Sequence, residues 1–321
     1  MIIFHLIAIT IAFALDRIVG DPPNWPHPVR WIGSMIGFLE KRLNRGGRRR
    51  LKGILMSAAV LAVAAGAAWG LAAAFYAVHP VAGVMAEAMM ISSAIAGKSL
   101  KEAGLDVLRP LQAGDLQEAR TKLSYIVGRD TDSLSEGEIV RGTVETIAEN
   151  TSDGVTAPLF WALIGGAPLA IMYRAANTCD SMVGYKNEKY GEFGFFSARL
   201  DDWLNIVPSR LTGLLMLLSM RPRKTKWTAA SRIWRRDAPK HPSPNSGWCE
   251  AAAAAVLGIQ LGGVNTYKGE VSVRARMGDP EARLTPLHIR DSILLMERTV
   301  LLAIILYWIG GGMIELALAW L

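Results

Sequence analysis

Four polar blocks interrupt a largely apolar chain, and each carries residue types that handle phosphate, metal ions or protons. The first joins Asp21-Pro22-Pro23 to Pro26-His27-Pro28-Val29-Arg30, where prolines fix the backbone around His27 and Arg30. The second runs from Gly128-Arg129-Asp130-Thr131 through Arg141 to Glu145, Glu149, Asn150 and Asp153. Glu145, Glu149 and Asp153 stand four apart, which on a helix is one face. Three carboxylates there need a cation or basic groups among them. Magnesium, which takes oxygen ligands and bridges to substrate phosphates, is the natural choice. The third block holds Arg174, Asn177, Cys179 and Asp180, then Lys186-Asn187, Gly194, Asp201-Asp202, Asn205 and Ser209-Arg210. Asn177 and Asp180 are three apart, as are Asp202 and Asn205, so each pair shares a helix face. Their oxygens suit a metal, whereas Arg174, Lys186 and Arg210 suit phosphate. The fourth block, Asp237 to Gly247, contains His241, Ser243, Asn245 and Ser246 and leads through Glu250 into an Ala-rich helix. Asn245 or Ser246 is placed to cap that helix, and a helix N-terminus is a ready anion site. Gln260 to Gly263, Tyr267 and Gly269 read as a closing loop.

Gly97-Lys98-Ser99 has the look of the end of a P-loop, but Ser92 stands where the first glycine belongs and an apolar helix precedes it. The chain also lacks a GxSxG elbow and an HExxH helix.

The elements that position these blocks are hydrophobic. The 321 residues are 51% hydrophobic and 20% charged, with a mean hydropathy of +0.25. The net charge of +7 gathers in short basic runs beside apolar blocks. That placement favours membrane orientation over nucleic-acid binding. Two cysteines, Cys179 and Cys249, make neither a disulfide framework nor a metal site. Residues 54–78 form the clearest span, followed after His79-Pro80 by an apolar run over 81–96 that carries Glu87. Residues 300–321 read as a terminal span. Residues 1–15, without a basic n-region before them, read as a retained, tilted or shallow helix. Lys98 to Asp153 reads as amphipathic helices outside the membrane, and 251–263 is too short to span. The runs 155–173 and 204–220 lie between polar segments that both want the cytoplasm, so they both cross or both fail to cross. Proline and paired glycines in the first favour neither crossing, which keeps 174–203 on the cytoplasmic side. The expectation is an all-α, polytopic integral membrane protein. It forms one domain over 1–321, with polar loops and helices building a site at the cytoplasmic membrane face.

The strings DPPNWPHPVRWIG, GRDT, VETIAENTSDGVTAPLFW, YRAANTCDSMVGYKNEKYGEFG, LDDWLNIVPSRLTG, APKHPSPNSGWCEAA and LGIQLGGVNTYKG span nearly the whole chain. Together they resemble the adenosylcobinamide-phosphate synthase family of cobalamin biosynthesis. Cys179 stands where the family usually has an aliphatic residue, and Gly142 where it has alanine. The resemblance implies an ATP-dependent acid–amine ligase at the cytoplasmic membrane. It would join a propionate carboxylate of adenosylcobyric acid to aminopropanol or its phosphate. Other membrane enzymes of the nucleotide-loop pathway are implied as neighbours, and no nucleic acid.

A carboxylate is a poor electrophile, so such chemistry calls for an acyl phosphate from ATP, magnesium, cationic clamps and exclusion of water. The metal candidates are then Glu145, Glu149, Asp153, Asp180, Asp201 and Asp202. The clamps for phosphate or carboxylate are Arg30, Arg129, Arg141, Arg174, Lys186 and Arg210, with Asn177, Asn187, Ser243 and Asn245 as further binding groups. His27 and His241 are the candidate bases, and Glu149, Asp180 and Lys186 stand with them as catalytic candidates. Two competing readings fit the same blocks. One is a magnesium-dependent transferase acting on a lipid diphosphate, and the other is a corrinoid transporter or scaffold.

Overall fold

The computed structural model describes residues 2–22 and 27–319. Pro23 and Pro26 of the first block and the last two positions of the terminal run lie outside the described residues. Thirteen helices are described: α1 Ile2–Ile18, α2 Pro28–Leu43, α3 Arg49–Val78, α4 Pro80–Ala94, α5 Gly97–Gln112, α6 Leu116–Ser124, α7 Glu136–Thr151, α8 Ala157–Val183, α9 Phe195–Leu204, α10 Ile206–Ser219, α11 Trp227–Asp237, α12 Ser246–Leu257 and α13 Leu287–Ala319. A π-helical turn, Ser152–Thr156, joins α7 to α8. One hairpin, β1 Leu261–Tyr267 and β2 Glu270–Met277, is antiparallel with Val264 opposite Val273. Among the described residues four stretches are long and apolar enough to cross a membrane: Arg49–Val78, Pro80–Gln112, Glu136–Val183 and Leu287–Ala317. The chain is thus an all-α polytopic membrane protein with a small hairpin.

The chain divides into two compact units. The first comprises Met1–Lys98, Asp153–Asn205 and Ile304–Leu321, and the second Ser99–Ser152 and Ile206–Ala303.

In the first unit α1 lies on α4 and α3 on α8. Leu6, Ile9 and Ala12 of α1 and Ala88, Ile91 and Ala94 of α4 are fully buried. The small residues let backbones approach closely, which is how helices associate where lipid removes the hydrophobic drive. His79 turns the chain between α3 and α4: its Nδ1 accepts from the Val81 N–H, and Pro80 occupies the first turn, where no N–H is needed. Helix α8 is interrupted at Gly165–Gly166. The Ala167 N–H that opens its second half donates to Glu87 on α4, which also accepts from Tyr76. Gly166 has φ +63°, and a Cβ there would come within 2.2 Å of the Glu87 carboxylate. Gly166→Ala is therefore expected to destabilise the protein by at least about 2 kcal/mol, combining left-handed strain with displacement of a buried carboxylate. Thermal unfolding in detergent measures it, and an unshifted midpoint would refute the capping role.

The second unit packs around α12, whose Ala251–Leu257 stretch is buried all round against α10, α11, α7 and the hairpin. An apolar run that short is thus a core helix, and it stops at Gly258 in the left-handed conformation that ends helices.

The elements depart from the sequence reading in three places. The terminal helix begins at Leu287 rather than near residue 300, because Ile289, Ile293 and Met296 continue its buried face. The runs 155–173 and 204–220 are unequal. The first belongs to a stretch long enough to cross, whereas α10 has 14 residues, about 21 Å at 1.5 Å per residue and short of a hydrocarbon core roughly 30 Å thick. The closing loop after Gly258 is an ordered hairpin, since Val264, Thr266, Val271 and Val273 alternate with polar residues and share one face.

Candidate active site

In the first unit the polar string of α8 faces α9. Asp201 is buried and accepts from the Asn177 amide at 3.1 Å and the Asn205 amide at 3.1 Å. Asn205 in turn accepts from the Tyr173 hydroxyl at 2.8 Å. Asn205, expected on one face with Asp202, is the last-turn cap of α9, and its amide donates to the Asp201 carbonyl and carboxylate. Asp202 points instead toward Arg199 and Lys186. Partial burial pushes its carboxyl up, against the opposing pull of those two cations. Arg174 reaches the Asp153 carbonyl and Asn177, and its charge lies within range of the Asp21 and Asp153 carboxylates. Its buried Nε has no hydrogen-bond partner among the described residues. Asp180, one turn after Asn177, packs over Gly184, where a Cβ would meet its Oδ1 at 1.9 Å. Only glycine leaves that carboxylate its position.

The first block borders α2. His27 caps α2 through Nδ1, which accepts from the Val29 N–H, and its Nε2 pairs with Asp21 at 3.0 Å. Both ring nitrogens are thus engaged, which does not suit the free base expected from the sequence. Arg30 is exposed in the first turn of α2. Lys98, the rejected P-loop lysine, donates to the carbonyls of Ile18 and Val19, while its backbone N–H is held by Asp16. It ties down the end of α1 where the Asp21 segment begins. Lys186 is exposed, and the Asn187 side chain closes a turn with the Tyr190 N–H.

In the second unit Arg129 and Glu145 form a buried ion pair at 2.5 Å, each side chain 6% exposed. Glu145 also accepts from the Gly262 N–H. Arg129 and Arg141 both donate to the Asn265 side-chain oxygen, and Arg141 also to the carbonyls of Gly262 and Val264. Asp130 accepts from the N–H groups of Lys268 and Gly269 at the hairpin tip. The two arginines expected as phosphate clamps therefore dock the hairpin. Glu145 is occupied by them and not free for magnesium.

Glu149 accepts from the Ser246 hydroxyl at 2.7 Å. Asn245 is the N-cap residue of α12, as expected, but the side chain that accepts the N–H groups of Asn245 and Ser246 is the Ser243 hydroxyl. Neither Asn245 nor Ser246 does this through its side chain, because proline on both sides of Ser243 holds it beneath the helix end. Asn245 accepts from Ser209 and Arg210, and Arg210 also reaches the Pro244 carbonyl and lies over Trp248. His241 and Glu250 are buried together, Nε2 to Oε1 3.5 Å. Burial pushes the His241 imidazole down; burial, then the charges of Glu145 and Glu149, push the Glu250 carboxyl well up.

Glu145 and Glu149 of the expected acidic face thus lie in the second unit. Asp153 falls in the π-helical turn of the first, beside Tyr173 and Arg174. Among the described residues no group of three or more His, Cys, Asp or Glu side chains is arranged to hold a metal ion.

The pattern of the CobD/Cbib protein family matches residues 9–296. A cobalamin biosynthesis protein CobD of Halalkalibacterium halodurans is 55% identical over 315 residues, 98% of this chain and 99% of its own. This chain belongs to the CobD/CbiB family. Other members include the CobD proteins of Geobacter metallireducens, 49% identical over 92% of this chain and 93% of its own, and Klebsiella pneumoniae, 45% identical over 96% and 99%. No solved structure matches the chain. Within this CobD/CbiB fold, sequence reasoning missed two site residues. Asn265 receives both arginines, and Arg274 lies within electrostatic reach of His241 and Glu250. Both sit on the same face of the hairpin, and recognising its alternation would have exposed them.

Proposed function

We propose that this protein acts in cobalamin biosynthesis as an ATP- and magnesium-dependent ligase at the cytoplasmic membrane. It joins a propionate carboxylate of adenosylcobyric acid to the amine of aminopropanol or aminopropanol phosphate. The observation that carries the reading is the α8–α9 cluster. There a guanidinium with an unpartnered buried Nε sits among Asp21, Asp153 and Asn177, on the helix that also carries Asp180 one turn beyond Asn177. An open guanidinium nitrogen beside carboxylates suits a phosphate that brings its own divalent cation.

The residues present fit magnesium in that shared form. The ion typically takes one or two carboxylates and completes its shell with water and substrate phosphates, so it does not need a three-carboxylate cage. Asp180, with Asp201 or Asp202, would hold it, and Glu145 and Glu149 leave the metal set. When bound, magnesium neutralises charge on the transferring phosphoryl group. Arg174 and Lys186 orient the phosphates, and the buried Tyr173–Asn205–Asp201–Asn177 chain fixes the face that presents them.

The test is turnover by detergent-purified protein given adenosylcobyric acid, aminopropanol or its phosphate, ATP and magnesium, with the corrinoid read by mass spectrometry. The expected result is a mass gain matching the amide that vanishes without ATP or magnesium. Folded protein that converts neither amine overturns the reading, and conversion of a polyprenyl diphosphate without ATP would replace it with a lipid-diphosphate transferase.

A further inference from the structure

We propose that the groove between α2 and α3 holds one acyl chain of an anionic phospholipid of the surrounding bilayer, with the lipid phosphate seated between Arg42 and Lys52. The groove has a volume of about 260 Å³ and lies wholly within the first unit. Trp31, Ile32 and Met35 of α2 form one wall and Val60, Val63 and Ala67 of α3 the other, and none of its lining residues is charged. It is open on one side, since Trp31 is 64% and Val63 55% exposed. Its α3 wall belongs to a stretch long and apolar enough to cross a membrane, so the open side meets lipid. The volume is below the usual range for a compact small-molecule pocket, about 300–1,000 Å³, and suits a thin chain rather than a folded ligand.

Charge at one end decides which lipid. Trp31, Met35, Phe38 and Arg42 recur at steps of three and four, so the α2 wall continues on one face into Arg42. Lys52, Met56, Val60, Val63 and Ala67 recur in the same way on α3. At 1.5 Å per residue, Arg42 lies about 10 Å beyond Met35 and Lys52 about 12 Å beyond Val60. The Lys52 ammonium donates to the Arg45 carbonyl in the turn between the helices, which sets both cations at the same end of the groove and uses one of its three donors. The Arg42 guanidinium stacks over Phe38, 4.1 Å from the ring centre, so its N–H donors stay in a plane off the ring and can meet a phosphate. The neighbouring charges are committed elsewhere. Arg49 is held by Asn44 and the carbonyls of Glu188 and Lys189, Arg50 stacks on Phe195, and Glu40 pairs with Lys189. A zwitterionic headgroup would bring a further cation to this place, whereas a headgroup of net negative charge complements it. Each basic residue held at an anionic lipid surface is worth about fivefold in binding.

Native mass spectrometry of the detergent-purified full chain, titrated with phosphatidylglycerol or with phosphatidylcholine of the same acyl chains, reads the site. The expected result is one phosphatidylglycerol held about tenfold or more tightly than phosphatidylcholine. Arg42 is exposed and Lys52 reaches a loop carbonyl, so Arg42→Gln with Lys52→Gln leaves the core of the unit untouched. That double variant is expected to bind phosphatidylglycerol about twenty- to thirty-fold more weakly, near the level of phosphatidylcholine. Ala67→Phe keeps both cations but fills the groove from an exposed position, and should weaken retention of both lipids. Thermal melting of each preparation confirms its fold. Equal retention of the two lipids by the wild type would leave only passing lipid contact and overturn the proposal. So would a double variant that keeps the preference, or a folded Ala67→Phe that holds both lipids as before. A polyprenyl phosphate retained more tightly than phosphatidylglycerol would assign the groove to an isoprenoid instead.

Discussion

Asp180→Ala is expected to lower amide formation by about a hundred- to a thousand-fold, the scale of losing one preorganised electrostatic contact to a transferring phosphoryl group. The loss should come with an increased magnesium requirement, because the ion would keep only its phosphate and remaining carboxylate ligands. Asp180 is half-buried near the end of α8, against Gly184, so the fold of the variant is followed alongside its rate. Initial rates across a magnesium titration, with a melting curve of the same preparation, make the measurement. A correctly folded Asp180→Ala protein with full activity and an unchanged magnesium curve would remove this carboxylate from the site.

Glu145→Ala is expected to have the largest effect on stability, a loss of about 3–5 kcal/mol, because it leaves the Arg129 guanidinium buried without its counter-charge. Glu145 also accepts the Gly262 N–H, so the base of the hairpin loses an anchor in the same substitution. The contrast lies in the double replacement. Removing both charges as Arg129→Met with Glu145→Leu should cost much less than Glu145→Ala alone, since no orphaned ion then remains in the interior. Denaturant or thermal unfolding of the variants in detergent reads both numbers. A single variant as stable as the wild type would mean that water or another group reaches Arg129.

The spans were legible because a bilayer demands long apolar helices, and composition shows these directly. The helix caps were partly legible: the sequence pointed to the end of α12, but the choice among Ser243, Asn245 and Ser246 depends on how two prolines fold beneath it. The acidic face at 145, 149 and 153 shows where spacing rules stop. A constant helical repeat places the three carboxylates together, whereas the π-helical turn at Ser152–Thr156 changes the repeat just where Asp153 lies. The arginines mark another limit. Arg129 and Arg141 read as ligand clamps because the carbonyls and amide they satisfy come from a hairpin more than 100 residues later, and sequence proximity says nothing of such partners. His241 was visible as chemistry, but its burial against Glu250 became readable only in the fold, where the chain between them brings the two side chains together.

The interrupted helix α8 also bears on how the protein is made. Its second half starts with an N–H held by Glu87, a residue that precedes it by 80 positions. A nascent chain therefore delivers the carboxylate to the bilayer before the segment that needs it. Inserted alone, the α8 break would present bare amide groups to hydrocarbon. With α4 already in place, the two segments neutralise each other's polarity on meeting. Synthesis order, in this chain, supplies the partner first.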